Sequence, residues 1–386
     1  MVFRTNLARL FKIITQGLDY IWPKDPRILI FGSSMGLFPS GNAKALFNYI
    51  TGNPDSPFHC HFFLRDCGPD SRYRRYTPFN LKTYLLFLKA KTVLITHGLY
   101  DIGRLNVCSK KKNIIKLWHG RPGLKGDGYS SKSSTREQLA ELEREDRKTT
   151  AFLVCSRMES FMRAYSNVLH PRQILPLGYP KNDILLKDAP PPTTLRDIFP
   201  TLPDFEQALL YAPTWRDYAQ TKFFPFDDFD AEALESWLEK RNAILLLRAH
   251  ISDSIPVSES KRIRSLSFED CNEITDILKE INVIITDYSS ITADFLLLDR
   301  PIIYIPYDRN QFESRIGFCY GNFDFWTPGE KVYSFADFIQ AANVALEGDD
   351  GYSEQRKLVN QFVNEFQSHN STERVYTYLK RKLGYS

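Results

Sequence analysis

Residues 284–291 read Ile-Ile-Thr-Asp-Tyr-Ser-Ser-Ile, and Asp294-Phe295 follow shortly after. An apolar run stops at an acid, an aromatic and two hydroxyls, and a helical pattern then begins. That order predicts a buried strand delivering Ser289 and Ser290 to a helix N-terminus. Such a terminus offers unpaired N–H groups and partial positive charge, which suits a phosphate or pyrophosphate. Asp287 or Ser289 would equally serve as a plain cap. Three further segments repeat the pattern. Leu117-Trp118-His119-Gly120 follows an apolar run from residue 113, Tyr211-Ala212-Pro213-Thr214-Trp215-Arg216-Asp217 a run from 207, and Leu247-Arg248-Ala249-His250 a run from 243. Open α/β sheets bind ligands at the carboxyl ends of their strands. His119, Thr214, Arg216, Arg248, His250, Asp287, Ser289 and Ser290 therefore describe one polar site built from four strand ends.

The elements that must position these groups fall into two halves. The first has strand-like runs at residues 27–31, 60–64, 93–96, 113–118 and 151–155, with a helix at 42–50. Residues 123–134, rich in Gly, Ser and Lys, predict a mobile loop just past His119. Pro190-Pro191-Pro192 marks a break. The second half has strands at 208–212, 243–248, 283–286 and 302–305, with helices at 231–240 and 292–298 between them. Residues 335–346, 353–368 and 372–383 read as closing helices. Strands alternating with helices imply an α/β class with parallel sheets.

A chain of 386 residues is long enough for two domains. The net charge of +4 is too mild to argue for a nucleic-acid partner. The six cysteines are scattered without a CxxC pair, which fits buried free thiols in a reducing compartment. His59 and His61 bracket Cys60, and alternation along a strand explains them better than a metal site does. No segment has the length of a membrane-spanning helix, and the N-terminus lacks a signal-peptide core. Residues 4–22 do place Leu7, Leu10, Phe11, Ile14, Leu18 and Ile21 at helical spacing, beside Arg4, Arg9 and Lys12. That suits either a helix lying on an anionic bilayer or one packed on the domain. Residues 72–91 interleave Arg and Lys with Tyr73, Tyr76, Phe79, Tyr84 and Phe87, which would suit a headgroup boundary or a lipid-linked anionic acceptor.

The ordered blocks resemble the CDP-glycerol glycerophosphotransferases, the polymerases and primases of teichoic acid and related capsular polymers. Residues 36–49, with Asn42-Ala43-Lys44-Ala45-Leu46, resemble the family's opening block. Trp118-His119-Gly120 with Pro122 and Lys125 resembles its Trp-His-Gly block, and Gly178-Tyr179-Pro180-Lys181-Asn182-Asp183 a third. Residues 211–217 and 286–290 match its two most characteristic signatures, and Asp299-Arg300-Pro301, Tyr307-Asp308 and Gly317-Phe318 fit the tail. The likeness runs from about residue 28 to about 335. There are departures: Ile251 follows His250 where the family usually has proline, Lys181 stands where arginine is usual, and residues 251–268 read as a polar loop. These leave the reaction type standing and leave the polyol and acceptor open.

The resemblance implies a GT-B-like architecture, with two Rossmann-like domains facing an interdomain cleft. It divides the chain into an amphipathic N-terminal helix (1–26), an acceptor domain (27–188), a CDP-donor domain (205–370) and a C-terminal helix (371–386). It implies transfer of a polyol phosphate from CDP-glycerol or CDP-ribitol to a hydroxyl of a cell-wall, capsular or lipid-linked acceptor. CMP leaves, and the work is done at the inner face of the cell membrane. Histidine suits the removal of the alcohol's proton, so His119 is expected as the base. His250 is expected at the leaving phosphate, and Thr214, Arg216, Arg248, Ser289 and Ser290 on the donor. Asp287 would orient His250 or meet the ribose, and Gly36 and Lys125 would face the acceptor. No carboxylate cluster calls for an obligatory metal, and no cofactor is expected beyond the CDP-polyol co-substrate. Two other classes fit parts of the pattern: a sugar transferase of the same architecture, and a non-catalytic peripheral membrane module.

Overall fold

The computed structural model describes residues 14–65, 73–75, 81–105, 108–120, 124–216, 218–248 and 259–385. His250 and Asp217, both singled out above, lie outside the described residues, as do residues 1–13 of the N-terminal amphipathic stretch.

Two parallel sheets carry the chain. The first has seven strands: β1 (Asp25–Gly32), β2 (His59–Leu64), β3 (Tyr73–Arg75), β4 (Ala90–Ile95), β5 (Asn113–Lys116), β6 (Ala151–Val154) and β7 (Ile174–Pro176). Their spatial order is β3-β2-β1-β4-β5-β6-β7. The second has six: β8 (Gln207–Tyr211), β9 (Ala243–Leu247), β10 (Ile263–Ser265), β11 (Val283–Thr286), β12 (Ile302–Tyr304) and β13 (Glu330–Lys331), in the order β10-β9-β8-β11-β12-β13. Each half thus starts at the centre of its sheet, winds outward one way, then returns and winds the other way. This is the doubly wound arrangement, whose ligand crevice lies where the winding reverses, between β1 and β4 and between β8 and β11.

Central strands are apolar on both faces because helices cover both. Leu29, Ile30 and Phe31 of β1 and Ile244, Leu246 and Leu247 of β9 have essentially no exposed surface. Each such side chain stabilises the fold by roughly 1.5–3 kcal/mol on burial. The expected central strands are all present. The short edge strands β3, β7, β10 and β13 were not anticipated. At two or three residues, and polar in part, they carry no period that distinguishes them from loop. β10 also corrects the reading of residues 251–268 as loop throughout.

Of the basic and aromatic stretch 72–91, residues 72 and 76–80, with Tyr76 and Phe79, lie outside the described residues. Tyr73 stacks with Phe47 and packs edge-on against Phe62, and Phe87 is fully buried against β1 and β4. These rings are core rather than headgroup contacts.

The helix Ser371–Leu383 returns to the first domain. Val375, Tyr376 and Leu379 join the core built on β1, β2 and the helix Gly41–Thr51, and Asp183 caps the helix by accepting from the Ser371 and Thr372 N–H groups at 3.0 and 2.8 Å. The domains also meet through Lys181, whose Nζ lies 2.6 Å from Asp294 Oδ2, with both side chains over 90% buried. Asn182 Nδ2 donates to the other Asp294 oxygen at 2.7 Å.

Removing one member of such a pair leaves a charge buried without compensation. Asp294→Ala is therefore expected to lose roughly 3–5 kcal/mol of stability, read as a lower urea midpoint. The double change Lys181→Met with Asp294→Leu is expected to recover most of it.

Candidate active site

The site begins at a strained turn. β4 and β5 pair Ile95 with Lys116, and the Leu117 N–H continues the ladder by donating to the Ile95 carbonyl at 2.7 Å. Beyond that bond Trp118 adopts a left-handed conformation, φ 60°. For a residue with a Cβ this costs on the order of 1–2 kcal/mol. Two contacts hold it there. Asn42 Nδ2 donates to the carbonyls of Leu117 (2.8 Å) and Trp118 (3.1 Å), and the Arg163 guanidinium lies 4.4 Å over the indole. The turn aims His119 into a cleft between the domains with a volume of about 640 Å³.

His119 Nδ1 lies 3.3 Å from the Thr96 carbonyl. A carbonyl only accepts, so Nδ1 carries the proton and Nε2 is left as a lone pair facing the cleft. The ring stacks on His97, with centroids 3.9 Å apart and planes 2° from parallel. Its edge is open to the cleft, so its accessible area is large, yet protein surrounds it. Burial first, and then His97, hold its pKa well below the ordinary imidazole value. Water in the open cleft moderates that effect, and a substrate filling the cleft strengthens it.

The second domain supplies the opposite wall. Ser289 and Ser290 follow β11 and precede the helix Ile291–Phe295, which continues only as the 3₁₀ turn Leu296–Leu298. The helix is shorter than expected, so its dipole is small and the hydroxyls themselves matter more. Gly120 faces them: a Cβ there would stand 3.2 Å from Ser290 Oγ. The glycine is what lets the His119 turn and the serine turn approach. Thr214 lines the same cleft, and its buried Oγ1 has no partner among the described residues. Arg248 lines it too, stacked 3.8 Å over Phe268 and donating to the Ser267 carbonyl at 2.6 Å.

Not every expected residue reaches the cleft. Arg216 is buried in a fork with Asp308 (2.7 and 2.8 Å) and an ion pair with Asp287 (2.8 Å). Asp287 also accepts from the Thr214 N–H at 2.8 Å. Both residues tie the β8, β11 and β12 ends together, and neither lines the cleft. Against the rise that burial alone would cause, Arg216 holds the Asp308 carboxyl below its usual range. Gly36, expected at the acceptor, is a turn residue with φ +76°, packed against Arg65 and the Asp101 carbonyl, while Ser34 and Phe38 of the same loop line the cleft. Lys125 does line it, with Nζ 5.7 Å from the Trp215 ring centroid. The loop expected to be mobile is a strap. Gly126 donates to the Gly317 carbonyl, Cys319 to that of Leu124 and Lys132 to that of Ile316, at 2.7–3.0 Å.

A family described as CDP-glycerol:poly(glycerophosphate) glycerophosphotransferase matches residues 15–381. The chain belongs to that family. The transferase is 26% identical over 359 residues to a teichoic acid poly(glycerol phosphate) polymerase of Bacillus spizizenii, covering 88% of this chain and 89% of the relative. It is 24% identical to the ribitol-phosphate polymerase TarL of Staphylococcus aureus, covering 92% of this chain and 65% of TarL. A teichoic acid glycerol-phosphate transferase of the same organism is 25% identical, covering 90% and 91% of the two chains. Among solved structures, a variant of the wall teichoic acid polymerase TagF superposes with TM-score 0.78 at 18% identity, covering 99% of this chain and 97% of that one. The two-domain GT-B-like fold expected from the motifs is thereby established, and the transferase is an enzyme of CDP-polyol phosphate transfer.

His97 and Arg163 line the cleft of the transferase without having been singled out in the sequence, while Asp294 and Lys181, which also line it, were named only as members of motifs and given no role. Thr96-His97 does stand at the end of an apolar run, which is the signal that marked the other strand ends.

Asn42 should be the most consequential residue that does not itself line the cleft. Asn42→Ala removes both bonds to the strained turn, and turnover of the transferase is expected to fall roughly tenfold to a hundredfold. Steady-state assays should show the loss mainly in kcat, with donor KM little changed.

Proposed function

We propose that the chain transfers a polyol phosphate, glycerol phosphate before ribitol phosphate, from a CDP-linked donor to a hydroxyl of a cell-wall polymer or lipid-linked acceptor. The observation that carries this reading is the placement of the His119 turn directly against the Ser289–Ser290 turn across one cleft. A base on one wall and phosphate-binding groups on the other suit an in-line displacement at phosphorus.

The acceptor oxygen attacks the phosphorus that bears the polyol. Its proton goes to His119 Nε2 as the new O–P bond forms. The bridging P–O bond to CMP breaks, and its electron pair stays on the CMP phosphate. Charge on the leaving phosphate is met by Arg248 and by the hydroxyls of Thr214, Ser289 and Ser290. The unpartnered Thr214 Oγ1 supports this, because a buried hydroxyl without a partner is costly until a ligand supplies one. No metal is proposed. Among the described residues no three His, Cys, Asp or Glu side chains gather in a metal-binding group, and Arg248 and Lys125 supply positive charge instead.

CMP release should be measured with CDP-glycerol, CDP-ribitol and a UDP-sugar offered separately over a membrane acceptor fraction, in EDTA. Release from CDP-glycerol is expected, falling about 10²–10⁴-fold in His119→Ala. UDP release instead would move the enzyme to sugar transfer, and loss of turnover in EDTA would refute the metal-free step. Because the His119 pKa is lowered, the base stays neutral as pH falls through the ordinary histidine value of about 6.5. The acid limb of kcat/KM is therefore expected below that pH.

We further propose that the chain works against an anionic membrane surface. Among the described residues no helix is long and apolar enough to cross a bilayer. Helical residues 14–21 turn Asp19 inward, where it pairs with Lys24 and Lys112 at 2.8 and 2.9 Å. Ile14, Leu18 and Ile21, on one helical face, are 41–69% exposed. An outward apolar stripe supports docking on lipid. Changing all three to serine is expected to abolish sedimentation with phosphatidylglycerol vesicles; undiminished sedimentation would reject the idea.

A further inference from the structure

The helix Gly41–Thr51 belongs to the first domain, yet its first turn is gripped by the second. Glu273 precedes the 3₁₀ turn Ile274–Asp276 and lines the cleft beside Phe268 and Asn272. Its side chain is buried, and one carboxylate oxygen accepts from the Gly41 N–H. The other accepts from the Thr275 hydroxyl at 2.7 Å, which fixes the group to its own domain. Three residues further on, Asp276 holds Lys44 Nζ at 2.9 Å. Asn42 stands between the two gripped residues, and its side chain holds the Leu117 and Trp118 carbonyls ahead of His119.

Local bonds do not fix the start of this helix. Ser40 occupies the cap position, but its side chain makes no capping bond. Its hydroxyl lies 2.6 Å from Ser34 Oγ, and its N–H donates to Ser33 Oγ at 3.0 Å. Gly41 has φ +58°, and a Cβ there would stand 3.7 Å from Glu273 Oε2. Glu273 thus supplies, from across the domain boundary, the acceptor that a capping side chain normally provides. A carboxylate at that end also meets the helix dipole favourably.

We infer that Glu273 is a positioning residue for the catalytic base, acting through the first turn of the helix Gly41–Thr51 and through Asn42 on the turn that carries His119. The domain opposite the histidine thereby sets the histidine's aim. This rests on the phosphotransferase reading above, with His119 as base, and adds to it a residue of the other domain. Asp276 and Asp294 also cross the boundary, but they meet lysine side chains, whereas Glu273 holds backbone one residue from Asn42. A backbone bond passes on a displacement that a flexible four-carbon stem absorbs.

The groups around His119 give the test its sign. His97 stacks on the ring, the Thr96 carbonyl meets Nδ1, and Arg163 and Lys181 both disfavour a proton. Burial is the largest influence and lowers the pKa. A loosened turn admits water, and the value then rises toward the ordinary one of about 6.5. Loss of the Glu273 negative charge by itself acts the other way, because a nearby carboxylate favours the imidazolium.

The test follows CMP release from CDP-glycerol over a membrane acceptor fraction as a function of pH. In Glu273→Ala, kcat is expected to fall about tenfold with donor KM little changed, and the acid limb of kcat/KM to move up in pH. The position of that limb does not depend on the folded fraction. Glu273→Asp keeps the charge but is one methylene short of Gly41; it should move the limb the same way, and it serves where the alanine variant does not fold. Glu273→Gln keeps an oxygen for the Gly41 N–H, so it should recover most of kcat, with the limb at or below that of the parent. Adding Glu273→Ala to Asn42→Ala should cost less than about twofold more, because the path is already cut. An unmoved limb in the alanine and aspartate variants, or losses that multiply in the double variant, overturns the inference and leaves the phosphotransferase reading intact. Absence of CMP release by the parent, or full turnover by His119→Ala, overturns that reading and this inference with it.

Discussion

The side chain of Asn42 is the point on which the site depends. Its amide nitrogen holds the carbonyls of Leu117 and Trp118, and its oxygen accepts from the Lys181 N–H at 3.1 Å. Lys181 in turn reaches Asp294, on the helix that follows Ser290. One buried amide thus joins the start of the helix Gly41–Thr51, the His119 turn and the Lys181 loop, and through Lys181 the second domain. An asparagine can do this because it offers donors and an acceptor on one flat group, whereas aspartate would repel both carbonyls. The strain at Trp118 follows from the same bonds: the backbone adopts an unfavourable angle because Asn42 fixes the carbonyls of Leu117 and Trp118.

Much of this was legible from residue order. Apolar runs that stop at polar residues mark strand ends, and in a doubly wound sheet strand ends converge. His119, Thr214, Arg248, Ser289 and Ser290 were found that way and do share one cleft. Arg216 followed the same rule and ended elsewhere, because Asp308 lies 92 residues away and nothing local announces their fork. Gly36 was read as a contact, whereas it is a turn residue at positive φ that does not line the cleft. The glycine-rich segment after His119 looked unconstrained because its partners, residues 316–319, lie far along the chain.

His97 illustrates a different limit. A single histidine after an apolar run is more often structural than functional, and its tautomer cannot be inferred from sequence. Its stacking on His119 and its 2.8 Å contact with Thr96 Oγ1 arise only in the fold. The short strands at the sheet edges were lost for a simpler reason, since a strand of three residues has no period to detect.

The return of the helix Ser371–Leu383 bears on how the molecule is made. Tyr376 packs against Tyr49 and Phe58, and Val375 and Leu379 complete the core that β1 begins. On the ribosome, the first domain emerges with a groove where that helix belongs, and the entire second domain is translated before the groove can close. The first half is therefore not a free-standing folding unit in the order of synthesis. The nascent chain must keep an apolar trench from self-association until its final helix docks, so demand for chaperones should peak late in translation.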